Sequence, residues 1–162
     1  MNATNSGPLD ISEISVVPVR SIADLRCETC RAIYGYWEAL MAAGGAMSFD
    51  PINVPEAIPY LVILDLENDV SGFRFRMSGQ AIVAASGLDL TGQLLDKTGR
   101  DAPLTLKFCD AVVEAKAPVF SNDSFSVEFP GRTRRFKESL ALPLFGEGGE
   151  LSRVLLVHGP EV

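Results

Sequence analysis

From Tyr60 the apolar side chains recur at every second position, and this change of period constrains the fold more than any other feature of the chain. Leu61–Glu67 and Phe73–Ser78 alternate on either side of Asn68-Asp-Val-Ser-Gly72, the pattern of a β-hairpin. With a tight turn, Leu64, Leu66, Phe75 and Met77 share one face. Asp65 then stands opposite Arg76 on the other face, and Glu67 opposite Arg74, so one side is core and the other carries cross-strand ion pairs. The alternation returns in Val119–Phe129, in Arg134–Phe145 after a Pro130-Gly131 turn, and in Arg153–His158 after Gly146-Glu-Gly-Gly149.

Between the two runs of strands the period is helical. Gln80–Ser86 is an Ala-rich helix stopped by Gly87, and a longer helix starts at Pro103 and breaks at Pro118. Before the first strand, Ser21 and Asp24 form an acidic capping box. Ile22, Leu25, Thr29, Ile33, Tyr36, Trp37 and Leu40 then recur at helical spacing to Gly44-Gly45, giving an amphipathic helix over Ser21–Ala43. Three prolines in Asp50–Pro59 allow one short helical turn and nothing longer. Five strands in two runs around a helical middle make an α+β chain: an antiparallel sheet with helices packed on one face, preceded by the N-terminal helix. The expected divisions are a flexible leader over 1–19, the helix over 20–45 and one domain over 46–162.

At 162 residues and 47% hydrophobic side chains, the chain is expected to be one compact unit, long enough to bury a core without disulfides or metals. Its formal charge of −7 lies in residues 1–72, where ten acids face three bases, whereas the remainder balances eleven against eleven. An acidic chain repels nucleic acid and anionic lipid, so neither is an expected partner. No stretch reaches membrane-spanning length and the first base is Arg20, which removes the basic-then-apolar order of a secretory leader; we expect a soluble, cytoplasmic protein.

Asp50-Pro-Ile52 with Pro55, Ile58 and Pro59, then Leu61-Val-Ile-Leu-Asp65, Phe73-Arg-Phe-Arg-Met-Ser-Gly79 and Gly87-Leu-Asp-Leu-Thr-Gly92 resemble the signature of a bacterial family of short, single-domain PAS proteins. The resemblance runs from about Tyr34 to His158, and departs from the pattern at Gln80, where Thr is expected. It implies a five-stranded antiparallel PAS sheet with the helical middle packed over it, used to sense small ligands or to contact proteins.

Several residues are candidates for such a role. Arg76 beside Phe75 and Met77 can hold a carboxylate or phosphate at the lip of an apolar cavity, or can simply pair with Asp65. Leu64, Leu66, Phe75, Met77, Ile82, Phe108 and Val112 line whatever space lies between sheet and helices, or fill it as core. Tyr34, Tyr36, Trp37 and Leu40 either present a dimer interface on the N-terminal helix or cap the sheet, and a homodimer through that helix is expected. Arg132, Arg134 and Arg135 at the hairpin tip are an electrostatic handle for a signalling partner, or a solvated turn.

Cofactor chemistry has little to work with. His158 is the sole histidine, a thin basis for haem ligation or for acid–base catalysis. Gln80–Leu95 contains no cysteine for a flavin adduct. Cys27 and Cys30 have the spacing of a zinc or redox pair, but the expected helix places both within its length and supplies no further ligands, so they read as inert thiols. Haem, flavin and zinc are therefore not expected, nor is catalysis. The sequence reads as a PAS-like sensory or adaptor module for a small ligand or a protein partner, with a ligand-free dimerisation module as the alternative.

Overall fold

The computed structural model describes residues 11–44, 48–67, 72–98, 101–129 and 132–160. The first ten residues of the leader, Gly45 of the expected helix stop, most of the Asn68–Gly72 turn and the Pro130-Gly131 turn lie outside these residues. The strands are β1 (Val17–Pro18), β2 (Leu61–Glu67), β3 (Gly72–Ser78), β4 (Val119–Ser121), β5 (Phe125–Phe129), β6 (Arg132–Phe145) and β7 (Leu151–Pro160), and the helices are α1 (Glu28–Ala42), α2 (Gln80–Ser86) and α3 (Pro103–Ala115). All strands pair antiparallel in the order β1-β4-β6-β7-β2-β3, with β5 pairing the first half of β6. This is the expected α+β class.

Among the described residues seven strands replace the expected five, for two local reasons. The run Val119–Phe129 breaks at 122–124, where the Asp123 N–H donates to Ser121 Oγ, a side-chain turn that interrupts the ladder. The second addition comes from the leader. Val17 and Pro18 pair with Phe120 and Val119, Ile14 is buried, and Lys107 donates to the Ile14 carbonyl over 2.6 Å, so the described part of the segment expected to be loose is packed onto the sheet.

The sheet has a core on each face. On the inner face, Val62, Leu64, Phe73, Phe75, Val154 and Leu156 pack with α3 through Leu104, Phe108 and Val112. On the outer face, Leu61, Ile63, Leu140, Leu142, Leu155 and Val157 pack with α1 through Ile33, Tyr34 and Trp37. Burying each such side chain contributes about 1.5–3 kcal/mol.

Two sequence expectations need correction here. The N-terminal helix is not continuous: the Ser21–Asp24 capping box forms, but it closes a single 3-10 turn over Ile22–Asp24, and α1 starts afresh after Cys27. The hairpin register also differs, because Leu64 faces Phe75 while Ile63 faces Met77, leaving Arg76 as the extra residue of a bulge. The bulge turns Met77 away from Leu64, Leu66 and Phe75 and into the outer core beside Ile63. The ion pairs nevertheless form, Arg76 with Asp65 at 3.0 Å and Arg74 with Glu67 at 2.8 Å, by reaching diagonally across the strands.

Helix boundaries follow local chemistry. α2 stops at Gly87, whose φ of 77° is a left-handed conformation that glycine adopts without steric cost, and α3 opens on Pro103. The segment after α2 runs back along the open edge of β3, where Leu95 N donates to Phe73 O and Phe75 N to Gln93 O, covering that edge. Gly79, which joins β3 to α2, lies against main chain: a Cβ there would stand 2.3 Å from Pro59 O and 2.4 Å from Ile58 O. Because backbone cannot yield as a side-chain tip can, Gly79→Ala should destabilise the fold by about 2–3 kcal/mol. Urea unfolding checks this, and an unchanged midpoint would show that the Pro55–Tyr60 turn moves aside freely.

Candidate functional site

A cavity of about 240 Å³ lies between the inner face of the sheet and the α2–α3 side. Its floor is Val62 and Phe75 from the hairpin together with Phe125, Val127 and Phe136 from the β5–β6 pair. Ile82 and Ala85 of α2 and Leu104 and Thr105 of α3 form the walls, and Leu88, 46% exposed, marks the rim. The lining is mainly apolar, with Ser78, Ser86, Asp101 and Thr105 as its other polar members, and His158 is its buried ionisable group.

His158 enters the cavity through strand alternation. Val154, Leu156 and His158 are successive inward positions of β7, and the cross-strand partner of His158 is Ser139. Ser139 Oγ and His158 Nδ1 are 2.7 Å apart. Three phenylalanines surround the imidazole, with ring centroids at 5.3 Å for Phe125, 6.0 Å for Phe136 and 6.3 Å for Phe108. Burial among them disfavours the charged ring and lowers its pKa to about 4, so His158 is neutral at physiological pH. A neutral imidazole held at one nitrogen by a hydroxyl is a fixed polar group in an apolar chamber, suited to orienting a small molecule.

Of the expected lining residues, the structure brings Phe75 and Ile82 to the cavity. Leu64, Phe108 and Val112 are core side chains behind it and Leu66 packs at the margin of the same core, while Met77 lies on the other face. Arg76 is not at the cavity lip either: with Arg153 it borders a recess on the outer face, where both guanidinium groups share the Asp65 carboxylate, at 3.0 and 2.7 Å. Phe125, Phe136 and Ser139 were not singled out from sequence. Their signal is the alternation of β5 and β6 combined with the β6–β7 register, which a bulge between Phe136 and Glu138 conceals.

The aromatic residues of α1 are engaged within the chain. Trp37 Nε1 donates to Pro143 O at 2.8 Å and Tyr34 is buried against the sheet. Tyr36 stacks near Phe49, its hydroxyl accepts from Asn53 Nδ2, and Leu40 packs at the edge of the same core. Arg134 and Arg135 are exposed on β6, close to Pro160.

The outer face also holds a buried carboxylate. Glu138 is fully buried and accepts from Arg26 N, Cys27 N and Asn122 Nδ2. It thus takes up backbone N–H groups at the approach to α1, beside Cys27 and Cys30.

No family model matches the sequence, and no curated protein matches it. Among solved structures the chain is similar to an RNA-binding light-oxygen-voltage receptor, with 11% identity and a TM-score of 0.48, covering 91% of this chain and 38% of that one. It is also similar to a light-oxygen-voltage domain studied with a flavin analogue, with 15% identity and a TM-score of 0.46, covering 73% of this chain and 89% of the other. The PAS domain of Bordetella pertussis BvgS matches at 14% identity with a TM-score of 0.41, covering 69% of this chain and 82% of that domain. The likeness is one of fold outline, and the chain spans well under half the length of the first of these structures.

None of Cys27, Cys30 and Cys109 is among the residues lining the cavity. Among the described residues no group of three or more His, Cys, Asp or Glu is placed to hold a metal ion, and no helix is long and apolar enough to cross a membrane.

The burial of His158 has a measurable consequence. Its folded pKa lies below the ordinary value near 6.5, so the unfolded chain binds more protons in that window. Its contribution to stability is complete above about pH 6.5 and is lost as pH falls toward the folded value of about 4. Relative to His158→Gln, the wild type should lose about 2 kcal/mol of unfolding free energy between about pH 7.5 and about pH 5. Urea titrations of both proteins check this; a constant difference would mean that the imidazole is not desolvated.

Proposed function

We propose that this chain is a PAS-like sensory or adaptor module of the bacterial single-domain type, which takes a small, largely apolar molecule into the cavity and is oriented on it through His158. The observation that carries the reading is the cavity of about 240 Å³ in which one neutral histidine stands among apolar walls. A mainly apolar pocket that opens at an exposed rim and holds one fixed polar group has the composition of a small-molecule site, which supports sensing over a ligand-free interaction module. At about 240 Å³ it lies just below the range of ordinary ligand pockets, about 300–1,000 Å³, and suits only a compact molecule.

An enzymatic reading would run through His158. Its Nδ1 is committed to Ser139, whose hydroxyl is not part of the cavity lining, so a Ser–His nucleophile cannot present its oxygen to a substrate there. Binding therefore fits the geometry better than catalysis.

A signal would leave by protein contact, through a shift in population between ligand-bound and ligand-free forms. The surfaces we propose for a partner or a second copy are the exposed positions of α1, among them Glu28, Arg31 and Glu38, and the part of β6 carrying Arg134 and Arg135. Native mass spectrometry of freshly purified protein tests the ligand and the oligomeric state together. The expected result is a bound small molecule that is absent from Ile82→Trp, in which the indole fills the chamber, while circular dichroism of the variant stays unchanged. A ligand retained by a folded Ile82→Trp protein, or a wild type that binds nothing from a hydrophobic fragment set, would overturn the reading.

A further inference from the structure

The ligand chamber makes no use of the Cys27-Glu-Thr-Cys30 motif, and the structure changes what that motif means. Cys27 is the N-cap of α1 and Cys30 lies in its first turn, so the first cysteine begins a helix rather than sitting within one. Because Cys27 is an extended N-cap residue and not a helical one, its side chain reaches that of Cys30 across the first turn, and the two thiols share a hydrogen bond. Both sulfurs also pack on Gly159: a Cβ there would stand 2.4 Å from Cys27 Sγ and 3.2 Å from Cys30 Sγ. The main chain of β7 thus forms a floor without a side chain beneath the pair.

The two thiols differ in charge state. The Cys30 thiol, the Cys30 and Thr29 N–H groups at the helix start and the Lys137 ammonium outweigh burial and lower the Cys27 pKa to about 6. Cys30 is pushed the other way, by Cys27, by burial and by the nearby Glu138 carboxylate. The more acidic thiol, Cys27, thus lies at the helix start, and the less acidic one, Cys30, lies next to the buried Glu138.

We propose that Cys27 and Cys30 form a thiol–disulfide exchange site for low-molecular-weight disulfides, with Cys27 the attacking and Cys30 the resolving sulfur. The Cys27 thiolate attacks one sulfur of the reagent, RSSR; a Cys27–SR bond forms, the RS–SR bond breaks and RS⁻ leaves. Cys30 then loses its proton to water and its sulfur attacks Cys27 Sγ. The Cys27–Cys30 bond forms, the Cys27–SR bond breaks and the second RS⁻ departs, and both RS⁻ groups take up protons from water. The two cysteines lose two electrons and RSSR becomes two thiols. Loss of the charge on Cys27 in the mixed disulfide removes the main influence that held the proton on Cys30, so the first step primes the second.

Cys27 is 3% exposed and Cys30 fully covered, whereas Arg26 and Glu28 on either side of Cys27 face solvent. Attack therefore proceeds through local opening of the first turn of α1, a helix end being among the least costly places to open. Cys109, buried in α3 with its thiol pushed up by burial, provides an internal control.

The test is incubation of the reduced, folded full chain with glutathione disulfide, followed by acid quench and peptide mass analysis. The expected product is a Cys27–Cys30 disulfide formed at least about tenfold faster than any adduct on Cys109. Cys30→Ser should instead accumulate one glutathione on Cys27, and Cys27→Ser should react at neither remaining position. A folded wild type that stays reduced while the urea-unfolded chain reacts would overturn the proposal, as would first reaction at Cys109. Should Cys30→Ser not fold, the wild-type ratio between the motif and Cys109 decides alone.

Discussion

The long antiparallel ladder between β6 and β7 sets both faces of the molecule, because two neighbouring cross-strand pairs near its end point in opposite directions. Ser139 and His158 face inward and place a neutral imidazole in the cavity. Glu138 and Gly159, one step along, face outward; the carboxylate receives the Arg26 and Cys27 N–H groups, and the glycine leaves room for two sulfurs. A shift of one residue in this register would exchange the faces, burying a carboxylate among phenylalanines and turning the histidine toward α1. The cavity and the start of the first helix are thus fixed by one alignment.

Glu138 also explains why α1 begins where it does. A helix start leaves backbone donors without partners, and these are usually met by the N-cap side chain. Here a carboxylate 111 residues away accepts from the N-cap residue itself, so the boundary is tertiary rather than local. Being fully buried, that carboxylate is tolerable only with its donors in place; removing it would leave N–H groups unpaired at a cost of about 1–3 kcal/mol.

This division accounts for what the residues reveal on their own. α2 and α3 are legible because Gly87 and Pro103 mark their ends by local backbone chemistry, and the strand runs are legible by alternation. The start of α1 is not, since Ser21 and Asp24 form a genuine capping box that closes only one turn. The bulge at Arg76 is equally hidden, because Phe75-Arg-Met77 alternates as a straight strand would, yet it sends Met77 to the outer core and keeps Arg76 away from the cavity. His158 could be seen as a strand residue, but its chamber could not, since Phe125, Phe136 and Ser139 reach it only through pairing across the sheet. The same displaced boundary made Cys27 and Cys30 look like mid-helix thiols.

The charge asymmetry of the sequence also takes a different form in three dimensions. Asp65 and Glu67 contribute to the acidic first half of the chain, but Arg76, Arg153 and Arg74 from the second half meet them across the sheet. These partly exposed pairs contribute little to stability, yet they leave the sheet edge near neutrality. The outward surface of α1 carries Glu28, Arg31 and Glu38, all exposed, on a helix whose apolar side packs on the sheet. A surface of mixed charge above buried aromatic residues would make polar rather than apolar contacts, and such contacts are weakened by salt.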